Sequence, residues 1–135
     1  MSKIMALDLG DQWVGVALSD SSRIFPKPYT TVTAAELEQF LSTTLQKETI
    51  GIIVIGYPKT MSGGESDQTK KVVAYKELLE TKFADTQFVL WDERLSSKRA
   101  QVIGSRKTKE DKIKSHSVAA AFILDSYLSY LHMNK

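Results

Sequence analysis

From Trp13 to Ser19 the chain alternates. Trp13, Gly15, Ala17 and Ser19 fall on one side, and Val14, Val16 and Leu18 on the other. A period of two is the pattern of a half-buried strand. The preceding segment, Lys3 to Asp8 (KIMALD), is an apolar strand, and Gly10 and Asp11 after it are turn residues. The first twenty residues therefore predict a β-hairpin. A third extended segment, about Ile24 to Val32, carries Pro26 and Pro28, which restricts it to a sheet edge. Thr33 with Glu36 three residues later is a capping-box signature. Leu37, Phe40, Leu41 and Leu45 continue from it at helical spacing, to about Lys47. Gly51 to Ile55 (GIIVI) is short, β-branched and apolar on both faces, as a parallel strand covered on both sides must be. Gly56 to Gly64 reads as a loop, and roughly Glu65 to Phe83 as a helix with Val72, Tyr75, Leu78 and Leu79 as its stripe. Gln87 to Trp91 is a further strand, and a helix is expected around Ser97 to Ile103. Gly104 to Lys114 reads as a basic loop, with Ser115 capping a last helix over about His116 to Leu131.

The order is βββαβαβα. Parallel strands need right-handed helical crossovers, and the hairpin adds an antiparallel member. The expected fold class is α/β: a ribonuclease H-like fold, with a five-stranded mixed sheet and helices on both sides. At 135 residues the chain is expected to form one domain over residues 1–135. Hydrophobic residues at 42% and charged residues at 25% argue against a disordered chain, a coiled coil or a collagen. No apolar run, Ile50 to Ile55 included, approaches the roughly 20 residues that span a bilayer. Asp8, Asp11 and Asp20 break up any secretory apolar stretch. The chain has no cysteine, which excludes disulfides, zinc–thiolate sites, Fe–S clusters and thiol nucleophiles. The expected compartment is the cytoplasm.

Charge changes the picture locally. The net charge is +2, but Lys98, Arg99, Arg106, Lys107, Lys109, Lys112 and Lys114 face only Glu110 and Asp111 within their segment. That segment is +5 and the remainder −3. Such asymmetry marks either contact with a polyanion or a solvated loop.

Candidate chemistry collects at strand ends. Asp8 closes the first strand, where ligand sites of open α/β sheets gather; its alternative is an ordinary turn acid. DLGDQWVG, residues 8–15, has the DxGxxxxG form that also opens actin-like ATPases, but those enzymes need a much longer chain. Gly56, Tyr57 and Pro58 follow the buried strand, with Ser62-Gly63-Gly64 beyond. Glycines there admit an anion to backbone amides, and the hydroxyls of Thr60 and Ser62 add donors. Asp92-Glu93-Arg94 ends the last strand and reads as a surface ion pair or as part of a site. If Gly51–Ile55 lies between the two strands, Glu93 stands about 10 Å from Asp8, two strand spacings away. His116 is expected at a helix N-terminus, where the dipole favours a neutral, metal-binding ring; its alternative is a solvated helix-start histidine.

MALDLGDQWVGVALSD, IVIGYPKTMSGGES, WDERLSS and KIKSHSVAAAFILDSYL resemble, in order and spacing, the four blocks of the YqgF/RuvX family. These are bacterial relatives of the Holliday-junction resolvase RuvC with a ribonuclease H-like fold. The resemblance covers nearly the whole chain. It implies a nuclease, described for the family both as a Holliday-junction resolvase and as an enzyme maturing the 5′ end of pre-16S ribosomal RNA. It further implies Asp8 and Glu93 as catalytic acids and metal ligands, with His116 where the family usually carries Asp. Such an enzyme uses Mg²⁺ or Mn²⁺; a nitrogen ligand at His116 shifts the preference towards Mn²⁺. Its partner is nucleic acid, pre-16S rRNA or branched DNA, held through the Lys98–Lys114 cations, Arg94, Gly56 and Pro58. The protein acts without a membrane, as a monomer or homodimer. A non-catalytic nucleic-acid-binding module on the same fold is the rival class.

Overall fold

The computed structural model describes residues 2–10, 12–57, 67–92 and 109–133. Its elements are β1 (Lys3–Leu9), β2 (Trp13–Ser19), β3 (Pro26–Thr33), α1 (Leu37–Lys47), β4 (Ile50–Tyr57), α2 (Asp67–Lys82), β5 (Gln87–Asp92) and α3 (Lys109–Met133). The strands form one mixed sheet in the order β3-β2-β1-β4-β5. β1 pairs antiparallel with β2 and parallel with β4, and β4 pairs parallel with β5. The N-terminal strand is thus the centre of the sheet, and the proline-bearing β3 is at its edge, as expected. The register of β2 and β3 shifts where Val16 faces Thr30 and Ala17 faces Pro28. Tyr29 is the extra residue, a bulge beside a proline that cannot donate to the ladder.

Alternation along the strands builds two cores. Met5, Leu7, Val14, Val16, Leu18, Ile53, Ile55 and Phe88 pack with Leu37, Leu41, Val72 and Leu79 of α1 and α2. Ile4, Ala6, Ala17 and Val54 face Ala120, Ile123, Leu124, Tyr127 and Leu128 of α3. Each fully buried aliphatic side chain stabilises the fold by about 1.5–3 kcal/mol. The central position of β1 and β4, covered on both sides, explains why their sequences lack a polar face.

Thr33 caps the chain as its spacing predicts. Its hydroxyl accepts from the Glu36 backbone N–H, and its own N–H donates to the Glu36 carboxylate. The turn over Ala34–Glu36 is 3-10 in form and leads directly into α1.

Three expectations need correction. β4 continues through Gly56 and Tyr57, which pair with Trp91 and Asp92, so Gly56 is a strand residue rather than the start of a loop. Residues 109–114 are helical, so Lys109, Lys112 and Lys114 belong to α3 and not to a basic loop. Ser115 is therefore no cap; it lies inside α3 and is buried. The expected helix over Ser97–Ile103 and the loop after Tyr57 lie outside the described residues.

The amino end of the sheet is closed by hydrogen bonds. Arg23 donates from Nε to the Ser2 carbonyl at 2.8 Å and from its terminal nitrogen to Ser2 Oγ at 2.7 Å. His132 Nε2, near the end of α3, donates to the Arg23 carbonyl at 2.9 Å. Among the described residues, no helix is long and apolar enough to cross a membrane.

Candidate active site

Asp8 stands one residue before the end of β1 and is 2% exposed. It shares the parity of Ile4 and Ala6, so its side chain lies on the α3 side of the sheet. Its partner across the hairpin is Gly15. The backbone of α3 passes directly over that glycine: a Cβ at position 15 would overlap the His116 carbonyl and crowd the Ser117 nitrogen. Small residues at Ser115, Ser117, Ala119, Ala120 and Ala121, all buried, keep this part of the helix slim enough for the approach. The acid from the first block and the histidine from the last are thereby brought to one spot.

The hairpin turn completes the wall. Gly10 donates to the Trp13 carbonyl at 3.0 Å. A Cβ on Gly10 would stand 2.6 Å from that oxygen and 3.8 Å from His116 Cε1, so the imidazole borders the turn. Both glycines of the DxGxxxxG pattern thus serve close packing. An isolated glycine in an alternating strand is the signal that could have found Gly15.

His116 is partly buried and sits two turns into α3. The helix-dipole argument for a neutral ring therefore fails, because that effect falls off within the first turn.

Across the sheet, Gly56 and Trp91 continue the row that starts at Asp8, because Leu7 is level with Ile55 and Ile55 with Leu90. Gly56 presents no side chain between Asp8 and Trp91. The Trp91 indole donates to Ser126 Oγ at 3.1 Å and meets Tyr127 and Tyr130, each with ring centroids 5.2 Å away. This aromatic cluster, which no local sequence pattern reports, ties the carboxyl end of β5 to α3. Asp92 follows with the parity of Phe88 and Leu90, which lie on the opposite face.

On that opposite face a pocket of about 160 Å³ opens beside the turn, between the hairpin, the start of α1 and the first turns of α2. Burial, and secondarily Glu38, raise the pKa of the Tyr75 phenol on its wall.

Glu93, Arg94, Pro58, Lys98, Arg99, Arg106 and Lys107 lie outside the described residues. Among the described residues no three His, Cys, Asp or Glu side chains form a metal-ligating group. Asp8 and His116 are therefore the two members of the expected site that the structure brings together.

A model of the RuvX family, described as Holliday junction resolvase, matches residues 2–130. The chain belongs to the RuvX family. A protein of Amoebophilus asiaticus named "Putative pre-16S rRNA nuclease" is 35% identical over 134 residues, covering 96% of this chain and 95% of that protein. One of the same name from Rubrobacter xylanophilus is 33% identical over 129 residues, 93% of this chain and 91% of the relative. In three dimensions this RuvX chain is similar to the Thermus thermophilus RuvC solved with a Holliday junction substrate. The TM-score is 0.64 at 11% identity, over 98% of this chain and 96% of that one. At that identity the likeness shows the fold, which is ribonuclease H-like as the element order predicts.

Proposed function

We propose that this RuvX protein is a metal-dependent endonuclease that hydrolyses phosphodiester bonds in structured RNA, with 5′-end maturation of pre-16S rRNA in the cytoplasm as its task. The observation that carries the reading is the buried carboxylate of Asp8 at the carboxyl end of the central strand. A buried acid is costly unless it is paired or ligates a metal. Its place beside His116 in a RuvX chain favours a site over a structural role.

The donor set fits a divalent cation. Asp8 and Glu93 would hold Mg²⁺ or Mn²⁺ through oxygen, and His116 through nitrogen. A cation bound there supplies an activated water and a counter-charge for the leaving oxygen. Asp92 has the wrong parity to join Asp8, which supports Glu93 as the second acid. The slim N-terminal half of α3 holds the imidazole against the hairpin turn, so the two groups keep their relative position as substrate arrives. Lys109, Lys112 and Lys114 occupy the helical turns leading to His116. With Lys98, Arg99, Arg106, Lys107 and Arg94 they would neutralise phosphates, while Gly56 and Pro58 would let the backbone approach closely. Such contacts give salt-dependent affinity without sequence readout.

The test is cleavage of a labelled pre-16S 5′ leader with Mn²⁺, Mg²⁺ or EDTA, comparing wild type with Asp8→Asn. Cleavage should require metal and fall by more than about a hundredfold in the variant, since metal-assisted charge stabilisation is worth several kcal/mol and tenfold is about 1.4 kcal/mol. Activity better with Mg²⁺ than Mn²⁺ would count against His116 as a ligand. The family's description favours one second reading, cleavage of a four-way DNA junction, and that substrate belongs in the same assay. Binding without cleavage of either substrate would mean a nucleic-acid-binding module on this fold.

A further inference from the structure

We propose that the pocket on the α1/α2 face is a subsite for one unpaired base of the nucleic acid whose backbone lies at Asp8. The inference rests on the nuclease reading and adds to it a contact on the other side of the sheet.

The walls define the chemistry of the occupant. Leu9, Val14, Ala34, Leu37 and Val72 make the pocket mainly apolar, and the Tyr75 ring adds a planar surface. Lys71 is exposed at its rim. An apolar slot with one cation at its mouth suits a flat, neutral ring attached to an anionic backbone. Size narrows the ring. At about 160 Å³ the pocket is close to a cavity of about 150 Å³ that takes one benzene ring. A single flat ring fits.

Position joins this pocket to Asp8. Leu9 follows Asp8 on the same strand, one step of about 3.4 Å away, and points to the opposite face. Gly10 borders both places: it lines the pocket, and a Cβ on it would come within 3.8 Å of the His116 ring. A nucleotide draped over the hairpin turn would set its phosphate on the Asp8 side and its base on the Leu9 side. Single-stranded RNA is commonly read in this manner, by splayed bases received on protein surfaces. A tyrosine phenol is protonated at neutral pH, so Tyr75 on the pocket wall carries an O–H that can serve a base carbonyl.

Binding rather than cleavage tests this. A short pyrimidine-rich single-stranded RNA is labelled for fluorescence anisotropy in EDTA. It is compared with copies that carry an abasic ribose at one position each. One abasic position should weaken binding to wild type about tenfold, the scale of losing one stacked base. Ala34→Leu, which fills the pocket, should bind intact and abasic RNA with the same reduced affinity, its folding checked by thermal unfolding. Lys71→Ala, at an exposed position, should reduce the salt slope by about 0.7, one phosphate contact on a single strand. Indifference of wild type to every abasic position overturns the subsite while leaving the cleavage reading to the Asp8→Asn experiment. So does discrimination by Ala34→Leu equal to wild type, or an unchanged slope in Lys71→Ala. Displacement of the RNA by micromolar uridine monophosphate would make the pocket a mononucleotide site and overturn the proposal as well. If wild type binds no RNA and no junction DNA, both readings fail together.

Discussion

The two ends of β1 are built from opposite materials. At its amino end polar groups are tied into a latch. The Ile4 N–H donates to Ser19 Oγ at 2.9 Å, Lys3 pairs with Glu48 at 3.0 Å, and Arg23 bridges Ser2 to the end of α3 through His132. The turn after β2 folds on Asp20, which accepts from the Ile24 and Phe25 amides and from Ser22. At the carboxyl end are a buried acid, two glycines, a row of small helix residues and an apolar pocket. One end spends its polar groups on the fold itself. The other keeps a carboxylate and an imidazole on one face of the sheet and an open pocket on the other. Proteins commonly give up stability where they act, and here the two demands are separated by the length of one strand.

Substitutions can break that comparison. The largest effect is expected from Gly15→Ala. The added Cβ must push α3 off the hairpin, at a cost of about 1–3 kcal/mol as for other overpacked sites. Because the displaced residue is His116, cleavage should fall with stability. Urea unfolding beside the leader-cleavage assay checks both, and full activity in this variant would detach His116 from the site. Arg23→Ala comes next. It removes the two bonds to Ser2 and should cost about 1–2 kcal/mol, with cleavage retained once the variant is folded. Arg23 also has a left-handed backbone, with φ of 60°. Arg23→Gly should therefore be more stable than Arg23→Ala by roughly 1 kcal/mol; equal stabilities would deny the strain.

The smallest effect is one of pH. Hydrogen bonds from the Ser22 hydroxyl and the Phe25 and Ile24 amides lower the Asp20 pKa from 3.8 to about 2. A lowered folded-state value means that the ionised acid stabilises the fold above pH 4, and that this contribution is lost as pH falls towards 2. Asp20→Asn should flatten the acid limb of a plot of Tm against pH. A limb as steep as that of wild type would show that other carboxylates set it.

Much of this was legible in the sequence because local and global signals agree. The alternation of Trp13–Ser19, the prolines of β3, the Thr33–Glu36 cap and the two-sided apolar run of β4 each predict the element that forms. The position of Asp8 at the carboxyl end of a strand was also recognisable. The start of α3 is hidden in the sequence because residues 109–114, KEDKIK, carry no apolar stripe. Lysine and glutamate are nevertheless good helix formers, and Glu110 with Lys114 has helical spacing. The role of Gly15 and the pocket were hidden for a different reason. Each depends on segments far apart in the chain, and no local pattern reports on what packs above a strand.

The central position of β1 has a consequence for how the molecule comes into being. β1, β2 and β3 are neighbours in sequence and in space, so they can associate early with short loops to close. The pairing of Lys3 with Ile50 needs a longer closure, and chain entropy makes such contacts later. His116 is 108 residues beyond Asp8, and its helix emerges during synthesis after the strands and helices it packs against. The acid is thus made well before the imidazole, and it gains that neighbour only when α3 docks. A nascent chain therefore passes through most of its folding before it holds both groups of the proposed site.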